Sequence, residues 1–164
     1  MVELVIRFYK NGDSAMERVV YADECWIADP EVFKVNREEE HSDHAFYEEK
    51  VTEYGLDMPL RQSLNGTWKF SYADVPDKRV KDFYEENFDI SGFSDIKVPG
   101  HIELAGYDTC QYINVMYPWE GHENLRPPFV PAKHNPVGSY VTYFDVDEAL
   151  LGKKTYISFQ GDRK

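Results

Sequence analysis

The chain is poor in the residues that staple small proteins or perform chemistry unaided. Its two cysteines, Cys25 and Cys110, have no CxxC spacing and no paired histidines at ligand distance, which argues against a zinc motif or a disulfide framework. Long apolar runs are missing, so no stretch reads as a membrane span. The opening Met1-Val2-Glu3-Leu4-Val5-Ile6-Arg7 lacks the charged start, long apolar centre and small-residue cleavage site of a secretory leader, which makes the cytoplasm the expected compartment. Positive charge is also scarce. Eighteen Lys and Arg against thirty Asp and Glu leave a formal charge of −12, which repels phosphate backbones and anionic lipid and excludes nucleic acid and membrane as expected partners. There is no G-x-S-x-G, no predictable His partner for Cys110, and no glycine pattern between a strand and a helix to cradle phosphate. No catalytic residue is therefore assigned.

Aromatic residues are abundant: 12 Tyr, 10 Phe and 3 Trp. Set against few Leu, Ile and Met, that supply favours sheets with aromatic faces over a helical bundle. Leu4 to Tyr9 and Val19 to Tyr21 flank Asn11-Gly12-Asp13, a hairpin signal that competes evenly with an irregular arm. In Gly66-Thr67-Trp68-Lys69-Phe70-Ser71-Tyr72 polar and aromatic residues alternate, as in a half-buried strand. Asp77 followed by Val80, Phe83, Tyr84 and Phe88 at helical spacing predicts a short capped helix. Ile96-Lys97-Val98 is a brief strand halted by Pro99 and Gly100. Tyr140, Thr142, Phe144 and Val146 share one face of another strand, and Thr155 to Gln160 gives a last one. That last strand has no sequence beyond it to supply partners, so the expected sandwich is incomplete at its C-terminal end.

Gly100 to Gly138 holds many loop formers, and a stretch that long is functional or disordered more often than a simple connector. Within it, Tyr112-Ile113-Asn114-Val115-Met116-Tyr117-Pro118-Trp119 sets one amide among aromatic rings. Sugars present hydroxyls that need donors and acceptors and C–H faces that pack on rings, so Asn114 beside Tyr117 and Trp119 suits a sugar-binding edge. The same Asn also suits an ordinary turn ahead of Pro118. Glu120 and Glu123 are near enough in sequence to be weighed as paired carboxylates, but an exposed loop is the stronger reading. His41 and His44 beside carboxylates permit a metal on one helical face, and a solvated cluster is again the stronger reading. No metal ligand is assigned.

Five ordered motifs carry a resemblance: Ser63 to Phe70, Val98 to Asp108, Gln111 to Trp119, Pro127 to Pro131 and Asn135 to Tyr140. Together they resemble the amino-terminal region of the large bacterial β-galactosidases of glycoside hydrolase family 2, and Asp29-Pro30, Asn36-Arg37 and His41-Ser42 resemble that family's leading arm. The resemblance implies an all-β fold: a galactose-binding-like jelly-roll β-sandwich over 61–164, preceded by an irregular N-terminal arm over 1–60, with a short helix. It implies that Asn114 hydrogen-bonds galactosyl hydroxyls and that Val115 lines the same pocket, as substrate-binding residues. The two glutamates of the retaining reaction belong to a barrel domain that these residues do not include, so the isolated chain is expected to be inactive. No cofactor is expected in this fragment, while magnesium and sodium are expected in the complete enzyme. The implied partners are a β-galactoside sugar, the remaining domains or subunits of the enzyme, and further copies in a homo-oligomer. Asp162-Arg163-Lys164 departs from the family, where an apolar strand would continue. A free-standing carbohydrate-binding module and a structural assembly fragment are the alternatives.

Overall fold

The computed structural model describes the backbone of residues 2–9 and, in full, residues 26, 29–35, 37–42, 46–50, 58–110, 120–121, 123–124 and 128–159. Among the described residues four strands form one sheet: β1 (Val2–Tyr9), β2 (Gly66–Ala73), β3 (Ser94–Val98) and β4 (Val137–Asp145), in spatial order β1-β4-β2-β3. β2 runs antiparallel to both β3 and β4, whereas β1 runs parallel to β4. Among the described residues the only helical pieces are 3-10 turns, including Pro76–Lys78 and Glu148–Leu150. The all-β expectation therefore holds at the level of the sheet.

Register follows from the aromatic alternation. Trp68 pairs with Ile96 on one side of β2, and Phe70 pairs with Tyr140 on the other. Since a strand's side chains point alternately to opposite faces, Trp68, Phe70, Ile96 and Tyr140 share the first face. Leu64, Ile102 and Tyr107 cover them. Phe70 is 1% exposed, and burying such a ring stabilises the fold by about 1.5–3 kcal/mol. The second face carries Val137, Ser139 and Val141 of β4, all buried. Phe83 and Phe93 close over Val141, with Val80, Phe88 and Ile90 around them. The β2–β3 connection thus lies over one face and the chain after β3 over the other.

Three expectations change. The helix predicted after Asp77 does not form. Val75 stands at the N-cap with no side-chain bond, Asp77 lies inside the 3-10 turn, and Asp82 takes φ 58°, a left-handed value that ends any right-handed helix. Val80, Phe83 and Phe88 still reach the core, so their spacing recorded burial and not helical backbone. The strand predicted from Thr155 is not formed over its described residues 155–159, and Tyr156 and Phe159 are more than half exposed. Among the described residues no strand pairs with this segment, and a strand needs such a ladder for its backbone groups. Finally, the arm is not irregular throughout, because Val2–Tyr9 enters the sheet. The proposed hairpin turn at Asn11-Gly12 lies outside the described residues.

Elsewhere the arm is tied down by polar contacts. Asp29 Oδ1 accepts from the Glu31 N–H at 3.0 Å, closing a turn at Asp29-Pro30. Glu48 pairs with Lys153 at 2.7 Å and Glu38 with Lys154 at 3.3 Å. Such exposed pairs are screened by solvent and add little to stability. Gln62 forms a more specific clamp: its Nε2 donates to the Asp145 carbonyl at 2.7 Å, and its Oε1 accepts from the Asp147 N–H at 3.0 Å. The entry to β2 is thereby fastened to the exit of β4.

Candidate functional site

Asn114 and Val115, with Tyr117 and Trp119, fall in 111–119, outside the described residues. The residues on either side are described. Those on the near side follow β3. Ala105 N–H donates to His101 O, Gly106 N–H to Glu103 O, and Tyr107 N–H to Ile102 O, each at 3.1 Å. Gly106 has φ +88°. This 6→1 and 5→2 pair of bonds around a left-handed glycine is the Schellman closure, which commonly brings together the apolar residues that flank it. Here those residues are Ile102 and Tyr107, and both pack on the first-face cluster. The Tyr107 ring stands edge-on to Phe70, with centroids 4.7 Å apart, and lies 6.0 Å from Tyr72.

One residue further, Asp108 Oδ1 accepts from the Thr109 N–H at 2.8 Å. Burial raises the Tyr72 hydroxyl's pKa above the usual tyrosine value; the negative charges of Asp108 and Asp74, a hydrogen bond to Asp108 and the charge of Glu103 add to the effect. Asp108 therefore joins the loop's departure point to β2.

On the far side is Glu123. Its Oε1 accepts from the N–H groups of Lys133 (2.7 Å) and His134 (3.1 Å), and its Oε2 from Ala132 (3.4 Å). Partial burial alone would raise its pKa. The three backbone donors and the nearby His134 outweigh that and hold it below the usual glutamate value. A carboxylate bound this way is committed to its acceptor role. Glu120 is exposed, and no pairing of Glu120 with Glu123 for acid–base chemistry is built.

The remaining sequence candidates gather no chemistry. His41 Nδ1 lies 2.8 Å from the Ser42 carbonyl, while His44 is outside the described residues. Cys110 is an exposed free thiol; Cys25 is outside the described residues. Among the described residues no group of three or more His, Cys, Asp or Glu is placed to hold a metal ion. No helix among them is long and apolar enough to cross a membrane. A cleft of about 470 Å³ lies between Tyr47, Pro59, Leu60, Ala149 and Lys153. Lys153 there is already paired with Glu48.

Sequence reasoning did not single out Gln62 or Asp108, and it weighed Glu123 for a different role. Each acts through one or a few hydrogen bonds to distant backbone, which leaves no periodic trace. Only the Gly106-Tyr107 pair bears a readable signal, since glycine ahead of an apolar residue marks this closure.

The described residues define a β-sheet domain whose buried aromatic face is covered by the chain that follows β3. Residues 61–164 match the family described as glycosyl hydrolases family 2, sugar binding domain. The chain belongs to that family. It is 56% identical over 138 residues to a β-galactosidase of Clostridium acetobutylicum, covering 83% of this chain and 15% of that protein. A β-galactosidase of Halalkalibacterium halodurans is 52% identical over 138 residues, 83% of this chain and 14% of that protein. The β-galactosidase large subunit of Leuconostoc lactis is 45% identical over 148 residues, 83% of this chain and 24% of that protein. The chain is thus homologous to the amino-terminal region of β-galactosidases and spans only 14–24% of the length of these three relatives.

Proposed function

We propose that this chain is the substrate-contacting amino-terminal part of a β-galactosidase that hydrolyses terminal β-D-galactosides such as lactose. The observation that carries this reading is the match of residues 61–164 to a sugar-binding domain, joined to 45–56% identity with the three β-galactosidases. In this reading the sheet is part of a jelly-roll sandwich spanning 61–164, and 1–60 is an arm that meets neighbouring domains or subunits of a cytoplasmic homo-oligomer. The Asn114 amide offers a donor and an acceptor to galactosyl hydroxyls, and Val115 packs on the sugar ring. In support, Tyr107 and Glu123, which precede and follow 111–119 in the chain, are held in place by ring packing on Phe70 and by three backbone donors. The reacting glutamates, magnesium and sodium belong to the other domains, and this chain's part in turnover is orientation of the sugar.

The test is an enzyme assembled from this chain and the remaining domains of a relative. Asn114→Ala should lower kcat/KM for a chromogenic galactoside by about 10–100-fold, the loss of one or two hydrogen bonds to bound sugar. Unchanged kcat/KM would refute the assignment. Saturable galactose binding by the isolated chain, abolished by the same substitution, would favour a free-standing module instead.

A further inference from the structure

β1 lies outside the residues that match the sugar-binding family, yet all eight of its residues pair in register with β4, from Val2 opposite Gly138 to Tyr9 opposite Asp145. The pairing is parallel, and the chain between Tyr9 and Gly66 separates β1 from the next described strand. We propose that the outer edge of β4 is a strand-acceptor site, and that Val2–Tyr9 fills it as a detachable cap that can leave without loss of the β4-β2-β3 sheet.

The argument begins with backbone groups. β4 is bonded to β2 along its Val137–Val141 half. Alternate residues of a strand direct their N–H and C=O groups to opposite sides, so removing β1 leaves an unpaired row along the other side of β4. An open edge of nine residues that includes Val137, Tyr140, Val141, Tyr143 and Phe144 is a template for strand addition.

Val2-Glu3-Leu4-Val5-Ile6-Arg7-Phe8-Tyr9 has the composition for the site. Its β-branched and aromatic residues favour extended backbone, and its single Glu and single Arg cancel. Separability rests on the family match: β2, β3 and β4 all lie within residues 61–164, whereas β1 precedes them. Among the described residues, Trp68, Phe70 and Ile96 form one hydrophobic cluster and Phe83, Phe93 and Val141 another, tying β2, β3, β4 and their connections together. Residues 10–65 connect β1 to β2, so capping is intramolecular, with an effective concentration on the order of millimolar or lower. A matching strand supplied in solution at that level competes for the edge.

The test is hydrogen exchange on the full chain and on Val5→Pro and Ile6→Pro variants, followed by a synthetic peptide of residues 1–10. N–H groups alternate in direction, so one of two adjacent positions must face β4, and proline there removes a ladder bond. One variant should raise exchange of the β1-facing amides of Val137–Asp145 at least about tenfold, and the other far less, with β2 and β3 protection unchanged. A variant lacking residues 1–10 should match the stronger one, and the peptide should restore its protection saturably where a scrambled peptide does not. Equal β4 protection in all variants, loss of β2 and β3 protection together with β4, or failure of the peptide would each overturn the proposal.

Discussion

Gly138 is the position where the first-face packing is tightest. A Cβ there would stand 2.8 Å from Cε2 and 3.3 Å from Cζ of Phe70, and 3.2 Å from Cε2 of Tyr140. Carbon atoms settle at about 3.5–4.0 Å, so in Gly138→Ala the Phe70 ring must retreat by roughly 0.7 Å. It has little room, being 1% exposed and wedged between Tyr107 at 4.7 Å and Tyr140 at 4.6 Å. Overpacking of this kind costs about 1–3 kcal/mol. Alanine recovers about 0.4–1 kcal/mol by restricting the unfolded chain, because Gly138 is not held at positive φ. The net expectation is a loss of about 1–2 kcal/mol. In urea unfolding followed by tryptophan fluorescence, a slope near ~2 kcal/mol/M turns that into a midpoint lowered by about 0.5–1 M. The cause is specific, so it is open to a double-mutant cycle. In a Phe70→Leu background the clashing ring atoms are gone, and Gly138→Ala should become nearly neutral or stabilising. A wild-type midpoint for Gly138→Ala, or the same cost in both backgrounds, would refute the reasoning.

Gly106→Ala should cost about 1 kcal/mol through backbone strain alone, since φ is +88° and nothing lies within 4 Å of the added carbon; thermal unfolding reads it, and Gly106→Asn should recover part of the loss. Gly100→Ala should be worse than Gly106→Ala in the same assay, because its Cβ meets the Lys97 carbonyl oxygen at 2.5 Å and only backbone movement relieves the contact. Glu123 has a lowered pKa in the fold, so its contribution to stability is complete above the unfolded glutamate value and lost as pH falls through the lower folded one. The Lys133 and His134 amide resonances should therefore shift at a pH below the usual glutamate range, and a midpoint at or above that range would contradict the clamp. Tyr72 should ionise later than exposed tyrosines in an ultraviolet titration, and Asp108→Asn should bring it back toward the ordinary value.

Legibility in the sequence followed periodicity. The Trp68, Phe70 and Tyr72 alternation located β2 and its buried face, and Pro99 marked the end of β3, because each is a local property of extended backbone. β4 was located by Tyr140, Thr142 and Phe144, yet its deepest residues are Val137, Ser139 and Val141 on the opposite face. Both faces of this sheet are covered, and alternation says which residues share a face without saying which face is better covered. Val80, Phe83 and Phe88 misled for a related reason. Spacing of three and four reads as helix when the backbone is regular, but a turn-rich segment with Asp82 at positive φ delivers the same residues to the same core. In the candidate site, Gly106-Tyr107 was readable because backbone chirality restricts the residue type. Gln62, Asp108 and Glu123 were not, since a polar side chain bonding distant backbone satisfies no short-range pattern.

The segment from Thr155 shows why pattern and structure part company at a sheet's margin. Tyr156 and Ser158 alternate with Ile157 and Phe159 as a strand requires, but alternation supplies only a propensity, worth a fraction of a kcal/mol per residue. Ordering each backbone residue costs about 1–2 kcal/mol, and that cost is offset only when a neighbouring strand takes up the N–H and C=O groups and a core takes up the apolar side chains. Among the described residues no strand pairs with 155–159, and Tyr156, Ile157 and Phe159 are all exposed. β1 makes the converse case. Its apolar run is no stronger as a signal, but it has β4 beside it and pairs along its whole length. Whether a strand-like sequence becomes a strand in this chain is decided by the availability of an edge, which is why the outer edge of β4 and its occupant are the features most worth perturbing.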